Sequence, residues 1–472
     1  MENFWDFNVW STVNIVAVLL LSLLAASMLR KAIPFLKNSL IPTSVLGGGI
    51  LIAVAGVYKL ITHEGMFETK FFGENGTAML ELITYHCLAL GFIASAFKPS
   101  KGKLTKKRTG EIFNTGVTTV STYLLQGIFG LGISIVAALL VKGFFNAAGI
   151  LLPFGYGQGT GQAMNYGNIF EADYGFTGGK SFGLTIAALG FLSASIGGVI
   201  HLNILKKRGK IRIADAEQQA KTATAAGDQK LPMKESIDRL TVQIALIFTA
   251  YMLAYLLMFG VGKLLPGMKS VVFGFNFLLG VLTATLVKLF MNWLRKKNVL
   301  KKDYADAFLM TRASNFFFDL MIVAGIAAIR FSVLENYWGI ILIMGVVGLV
   351  ITYIYNRIVA KTLFPEYTEE QFLAMYGMLT GTASTGVILL REIDGNFTTP
   401  AADNLVYQNF PAIVFGFPMM LLATLAPKKP IMTLLILVGF FAVMNIILFR
   451  SRIFRKKQKP EAEQHAEEQT NP

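Results

Sequence analysis

The run P-F-G-Y-G-Q-G-T-G-Q-A-M-N-Y-G-N, from Pro153 to Asn168, lies between two long apolar segments and decides how the chain is read. Glycines recur at Gly155, Gly157, Gly159 and Gly161. Such a run weakens a helix, and non-helical backbone is tolerated at membrane depth only where it is buried in protein or lines a wet cavity. A second run of the same kind, Y-G-M-L-T-G-T-A-S-T-G-V-I-L-L, extends from Tyr376 to Leu390 with glycines at Gly377, Gly381 and Gly386. Paired Gly-interrupted apolar segments at corresponding places in two halves point to the binding site of a secondary transporter. The alternative is that these glycines serve only close helix packing.

Composition sets the class. The chain has 472 residues, of which 54% are hydrophobic and 15% charged, too little polar surface for a soluble protein of this size. An all-α polytopic membrane protein is expected. The net charge of +15 would suggest nucleic acid as a partner of a soluble chain, but the basic residues cluster between apolar spans, as loops on the cytoplasmic face do. No nucleic-acid partner is therefore expected. The lone Cys87 excludes an intramolecular disulfide, and four scattered histidines offer no metal-ligand spacing. There is no P-loop and no nucleophile elbow, so neither an enzyme nor a bound cofactor is expected.

Hydropathy places spans at about Val9 to Leu29, Ser39 to Leu60, Ala78 to Phe97, Ile112 to Val141 and Ser181 to Leu205, with the first glycine run before the last of them. A second set follows at about Leu240 to Val261, Val271 to Leu294, Tyr304 to Ile329, Tyr337 to Val359 and Leu405 to Leu425, again with the glycine run before the last member. N-S-L-I-P-T-S-V-L-G-G-G-I-L from Asn38 matches K-S-V-V-F-G-F-N-F-L-L-G-V-L from Lys269, and G-F-I-A-S-A from Gly91 matches A-G-I-A-A-I from Ala324. The expected organisation is two repeats of about five transmembrane helices and one re-entrant hairpin each: residues 1–205 with a hairpin near 146–168, and residues 237–426 with a hairpin near 369–392. Residues 206–236 read as a cytoplasmic linker, 427–450 as an extra span and 451–472 as a disordered cytoplasmic tail.

Orientation follows from the basic loops. Clusters at Arg30 and Lys31, Lys98 to Arg108, Lys206 to Arg212, Arg295 to Lys302 and Arg450 to Lys459 share one side if the amino terminus is outside, while the loop from Thr62 to Gly76 carries Glu64, Glu68 and Glu74. The cell (inner or plasma) membrane is the expected location, with the carboxyl terminus cytoplasmic. An odd number of spans per repeat inverts the second repeat relative to the first, so the two hairpins enter from opposite faces.

A helix broken at the midplane frees N–H groups that attract carboxylates and C=O groups that attract cations. The hydroxyls of Thr160, Thr382, Ser384 and Thr385 can add neutral oxygens around sodium. Gln162, Asn165 and Asn168 after the first break, and Gln408 and Asn409 after the second, can offer amides to an amino acid. In the span Tyr304 to Ile329, Arg312 could meet a substrate carboxylate and Asp319 could ligate sodium or carry a proton; a structural pairing is equally open. Glu81 and His86 lie at a similar depth in the first half, and the repeat aligns His86 with Asp319. That leaves His86 as a proton carrier or as a buried neutral histidine.

The runs I-P-T-S-V-L-G-G-G from Ile41, Y-G-Q-G-T-G-Q-A from Tyr156, Y-G-F-T from Tyr174, S-I-G-G from Ser195 and G-T-A-S-T-G from Gly381 carry a likeness that spans most of residues 10 to 425. In them the chain resembles the sodium/glutamate symporter family. The resemblance implies inverted repeats, hairpins that hold substrate and sodium, an elevator-like movement and a homodimer. It departs at Gln158, where the family has a histidine, and at Leu389, where it has an asparagine. On this reading substrate meets Gly157, Gln158, Gly159, Thr160, Gln162, Asn165, Arg312, Ser384, Thr385 and Asn409, and sodium meets Gly159, Thr160, Thr382, Ser384 and Asp319. Two other readings stay open: a cation/proton exchanger using His86 and Asp319, and a membrane sensor that does not transport.

Overall fold

The structure, a computed structural model, describes residues 3–38, 40–97, 105–209, 237–266, 269–300, 304–335, 337–394 and 398–453. The expected linker, apart from residues 206–209, and the tail beyond residue 453 lie outside the described residues. Among the described residues the chain is all-helical, with ten helices long and apolar enough to cross a membrane, as a multi-pass membrane protein requires.

The long helices are α1 (Phe7–Ala32), α2 (Thr43–Thr62), α3 (Gly76–Phe97) and α4 (Lys106–Leu140); then the broken pair α5 (Leu151–Gln158) and α6 (Thr160–Tyr174); then α7 (Gly179–Lys207). After the linker come α8 (Arg239–Leu264), α9 (Asn276–Lys296), α10 (Ala307–Ala327) and α11 (Trp338–Leu363), a second broken pair α12 (Thr368–Thr380) and α13 (Ala383–Arg391), α14 (Asn409–Leu425) and α15 (Pro430–Leu448). The span expected at Leu405 to Leu425 needs correction. It divides into a short helix, Ala401–Tyr407, and α14, leaving α14 below the length of a full span. Pro411 is the reason: it has no N–H for the Tyr407 carbonyl, so the helix turns at Gln408 before resuming.

The helices form two bundles. In the first, α3 and α10 pack on each other; α2 lies on α1 and α10, and α9 lies on α8 and α3. In the second, α4 and α11 pack on each other; α4 also lies on α5 and α14, while α11 also lies on α12 and α7. Each of these pairings thus has a counterpart between the two halves of the chain. The expected extra span, α15, lies along α4.

Close approach in the second bundle depends on small residues. Gly130 and Gly149 meet backbone to backbone, as do Gly167 and Gly179, so a methyl group at any of them would overlap main-chain atoms. Apolar surface gains little from helix association inside a bilayer, and such contacts supply the packing instead.

Candidate functional site

Both glycine runs break. At Gly159 the backbone takes φ 80° and ψ −169°, a region open essentially to glycine alone, and the chain folds back so that Phe154 stacks on Tyr166 with ring centroids 3.8 Å apart. The second break falls at Gly381 and Thr382, and Gly386 returns against Gly377 and the Ala374 carbonyl. Each break is therefore the tip of a helical hairpin. The two tips touch: a Cβ built on Gly159 would lie 3.0 Å from Thr382 Cγ2 and 3.9 Å from the Gly381 carbonyl oxygen.

The bases of the hairpins lie at opposite ends of α7. Near its start the Lys180 N–H donates to Glu171 Oε2 of the first hairpin (3.1 Å); near its end His201 Nε2 meets Glu369 Oε2 of the second (2.9 Å). Twenty-one residues of helix separate Lys180 from His201, about 30 Å, the thickness of a bilayer core.

Helix ends dominate the electrostatics at the tips. Neither α6 nor α13 has a side-chain cap on its first N–H groups, so two partly positive helix starts converge. The last carbonyls of α5 and α12 have lost their in-helix partners, and α4 supplies replacements. Tyr123 Oη donates to the Gly157 carbonyl at 3.0 Å, and one turn further on Gln126 Nε2 donates to the Leu379 carbonyl at 2.9 Å. A single helix braces both hairpins.

Most of the sequence-derived residues gather here. Gly157, Gln158, Gly159 and Thr160 form the first tip and its flanks, and Thr382 and Thr385 the second, their hydroxyl oxygens 3.5 Å apart. Thr160 Oγ1 also reaches the Met321 carbonyl of α10 at 3.4 Å. One turn behind the first tip, Gln162 is 1% exposed and its Nε2 has no partner, while Gln162 Oε1 accepts from Asn165 Nδ2 at 3.5 Å. Asn165 Nδ2 also donates to the Gly274 carbonyl at 3.1 Å. Ser384 sits in the first turn of α13, but its side chain lies outside the described residues.

Four candidates stand apart. Asp319 belongs to the first bundle, beside the Ser44 hydroxyl, and the two-residue step to Met321 turns it away from the tip. Arg312, two turns earlier on the same exposed stripe, lies over the Phe308 ring, 5.1 Å from its centroid; about 10 Å of helix separates it from Asp319, so the two do not pair. His86 Nδ1 meets Tyr251 Oη at 2.7 Å, also within the first bundle. Asn409 Oδ1 accepts from Gln408 Nε2 at 3.0 Å, beyond the second hairpin.

Sequence reading missed the ties between elements. Lys180 Nζ and Glu81 Oε2 pair at 2.6 Å, joining α7 to α3 across the two bundles, and Arg330 Nη2 meets the other Glu81 oxygen at 2.9 Å. At the far end, Arg357 Nη2 donates to Glu369 Oε1 at 2.8 Å and His201 Nδ1 meets Tyr353 Oη at 2.8 Å. The four-residue step from Tyr353 to Arg357 puts both on one helix face and was the available signal. Their partners are distant in sequence and carry none.

Compared with known proteins, the chain matches no protein-family model and no curated protein sequence.

Proposed function

We propose that this chain is a secondary active transporter, a symporter that couples sodium to the uptake of glutamate or a related small anionic amino acid or dicarboxylate. The observation that carries the reading is the meeting of two broken helices at Gly159 and Thr382, with the first of them wedged against α3 and α10 of the other bundle. Two uncapped helix starts and the unpartnered Gln162 amide suit a carboxylate; freed carbonyls and the hydroxyls of Thr160, Thr382 and Thr385 suit a sodium ion.

In this reading the hairpins are re-entrant and belong to inverted repeats. The matched packing of the two halves and the fastening of the hairpin bases to opposite ends of α7 support it. The Lys180 end then faces outward and the His201 end faces the cytoplasm, where Arg30, Lys31, Arg295 and Lys296 also lie. The hairpin bundle moves in an elevator-like manner against the bundle of α1–α3 and α8–α10, and the protein works as a homodimer in the cell membrane.

Uptake of labelled glutamate and aspartate into proteoliposomes tests this directly. Uptake should need sodium, fail with potassium in its place, and drop sharply in Gln162→Leu. Equal uptake in both salts rejects the coupling, and failure to take up any small anionic amino acid or dicarboxylate rejects the substrate class.

A further inference from the structure

One face of α4 is polar from Thr115 to Gln126. Thr115, Thr119, Thr122 and Gln126 follow at steps of four, three and four residues, which places them on a single stripe. At its upper end, the Gln126 Nε2 group is committed to the Thr352 hydroxyl oxygen (2.8 Å) and the Leu379 carbonyl (2.9 Å). The carbonyl cannot donate, so the orientation of the amide is fixed and Oε1 is the atom left over. Gln126 is fully buried and its Oε1 has no partner.

Asn356 on α11 repeats the pattern. Its Nδ2 donates to the Thr352 carbonyl (3.0 Å) and to Thr122 Oγ1 (3.4 Å), and its Oδ1 is left without a partner in a side chain 1% exposed. The Thr122 hydroxyl already donates to the Thr118 carbonyl at 2.8 Å. Two buried amide oxygens, on side chains that both bond to Thr352, thus have no hydrogen-bond donor among the protein groups around them. A buried acceptor left in this condition is destabilising unless something answers it. The patch also lies against the last turn of α12, the partly negative end of that half-helix.

We infer that Gln126 and Asn356, with the Thr122 and Thr352 hydroxyls, bind a monovalent hard cation at a site separate from the hairpin tips, the sodium ion being the occupant. The chemistry of the donors selects the ion. Neutral oxygens without sulfur or imidazole favour a hard cation, and a set without a carboxylate favours one charge over two. The ion answers both orphan oxygens and joins α4 and α11 to the end of α12, so its presence stiffens the first half of the second hairpin. The inference deepens the symport reading and rests on it only in taking sodium as the coupled ion.

The test uses the purified full-length protein in detergent, melted in rising sodium chloride and, in parallel, in choline chloride. Sodium should raise the melting temperature of the wild type where choline does not. In Gln126→Leu and Asn356→Leu the concentration for half-maximal stabilisation should rise about tenfold. Gln126→Glu, which keeps the oxygen and adds charge, should gain stabilisation by calcium chloride that the wild type lacks, a readout that survives if the leucine variants do not fold. A wild type indifferent to sodium, a leucine variant that responds as the wild type does, or a glutamate variant without a calcium response overturns the site, ordered water then satisfying the amides. Sodium-independent uptake by a protein whose melting still follows sodium through Gln126 overturns the symport reading and leaves the site standing.

Discussion

The two hairpins share tip chemistry but not surroundings. The return helix of the first, α6, is wedged between α3 and α10, with Gly161 against Leu88 and Met321, and its base is tied to the other bundle through the Lys180–Glu81 pair. The return helix of the second, α13, packs mainly on α12, on α7 and on the short helix that follows it, all within its own bundle. From the other bundle, Leu40, in the loop after α1, joins the buried cluster of Phe372, Leu373, Tyr376 and Leu389. A repeated plan is thus closed by charge at one end and by an apolar plug at the other. If the hairpins exchange roles during transport, these unequal fastenings set the resting balance, and each can be loosened separately.

The tips themselves should show the largest contrast. Gly159 combines φ 80° with a neighbour 3.0 Å from any Cβ, whereas Gly381 has φ −143° and meets the movable Thr385 hydroxyl. Gly159→Ala should cost about 3 kcal/mol and lower uptake on the order of a hundredfold, where the strain falls on the transport step. Gly381→Ala should cost less than half as much. Uptake rates and melting temperatures of the pair decide it, and equal losses would mean that the two tips are under the same constraint.

Loosening the fastenings should move access in opposite senses. With Cys87 replaced by alanine, Thr382→Cys reports the second hairpin and Ser181→Cys the Lys180 end. Leu40 sits at φ 58°, a strained setting for leucine, and is held there by burial. Leu40→Ala should free the second hairpin by about 2 kcal/mol and raise labelling of Thr382→Cys about thirtyfold. Glu81→Gln removes the charge of a largely buried carboxylate but keeps an acceptor for Lys180, so it should cost about 1 kcal/mol and raise labelling of Ser181→Cys about fivefold. A variant that raises both labels has merely loosened the protein, and the contrast between charged and apolar closure would then fail.

Legibility in the sequence followed the range of the interaction. Spans are visible because twenty consecutive apolar residues are a local property, and Gly159 because a helix cannot pass its conformation. Pro411 was legible too, yet its effect was hidden by the apolar residues on either side, which read as one span. The orphan oxygens of Gln126 and Asn356 and the Glu81–Lys180 pair were not legible. Each needs partners about 100 to 250 residues away, and an amide or carboxylate in an apolar run says nothing about what it will face. Arg312 and Asp319 show the converse. Their charge drew notice, but the face of α10 that carries them turns away from the tips.

The smallest expected effect lies in the carboxylates that close the loops behind the hairpins. Behind the first, Glu171 takes one bond from the Lys180 N–H. Behind the second, Asp394 accepts from the N–H and hydroxyl of both Thr398 and Thr399, at 2.6–2.9 Å. Burial pushes the Asp394 carboxyl upward, but the Thr399 and Thr398 donors outweigh it and hold the group below the usual carboxylate range. A folded-state value below the unfolded one gives stability that is full above the ordinary range and is lost as pH falls through the depressed value. Asp394→Asn should cost only about 0.5 kcal/mol, ~1 °C in melting temperature, near neutral pH, because the amide keeps one acceptor oxygen and the Thr398 and Thr399 hydroxyls can turn to accept from its N–H groups. The gap between variant and wild type should start to narrow as pH falls below the ordinary carboxylate range and close only below the depressed folded-state value, where the wild-type carboxyl is neutral as well. Melting curves from pH 7 to pH 3 measure it, and a gap that stays constant to the acid limit would show that the four bonds act through geometry and not through charge.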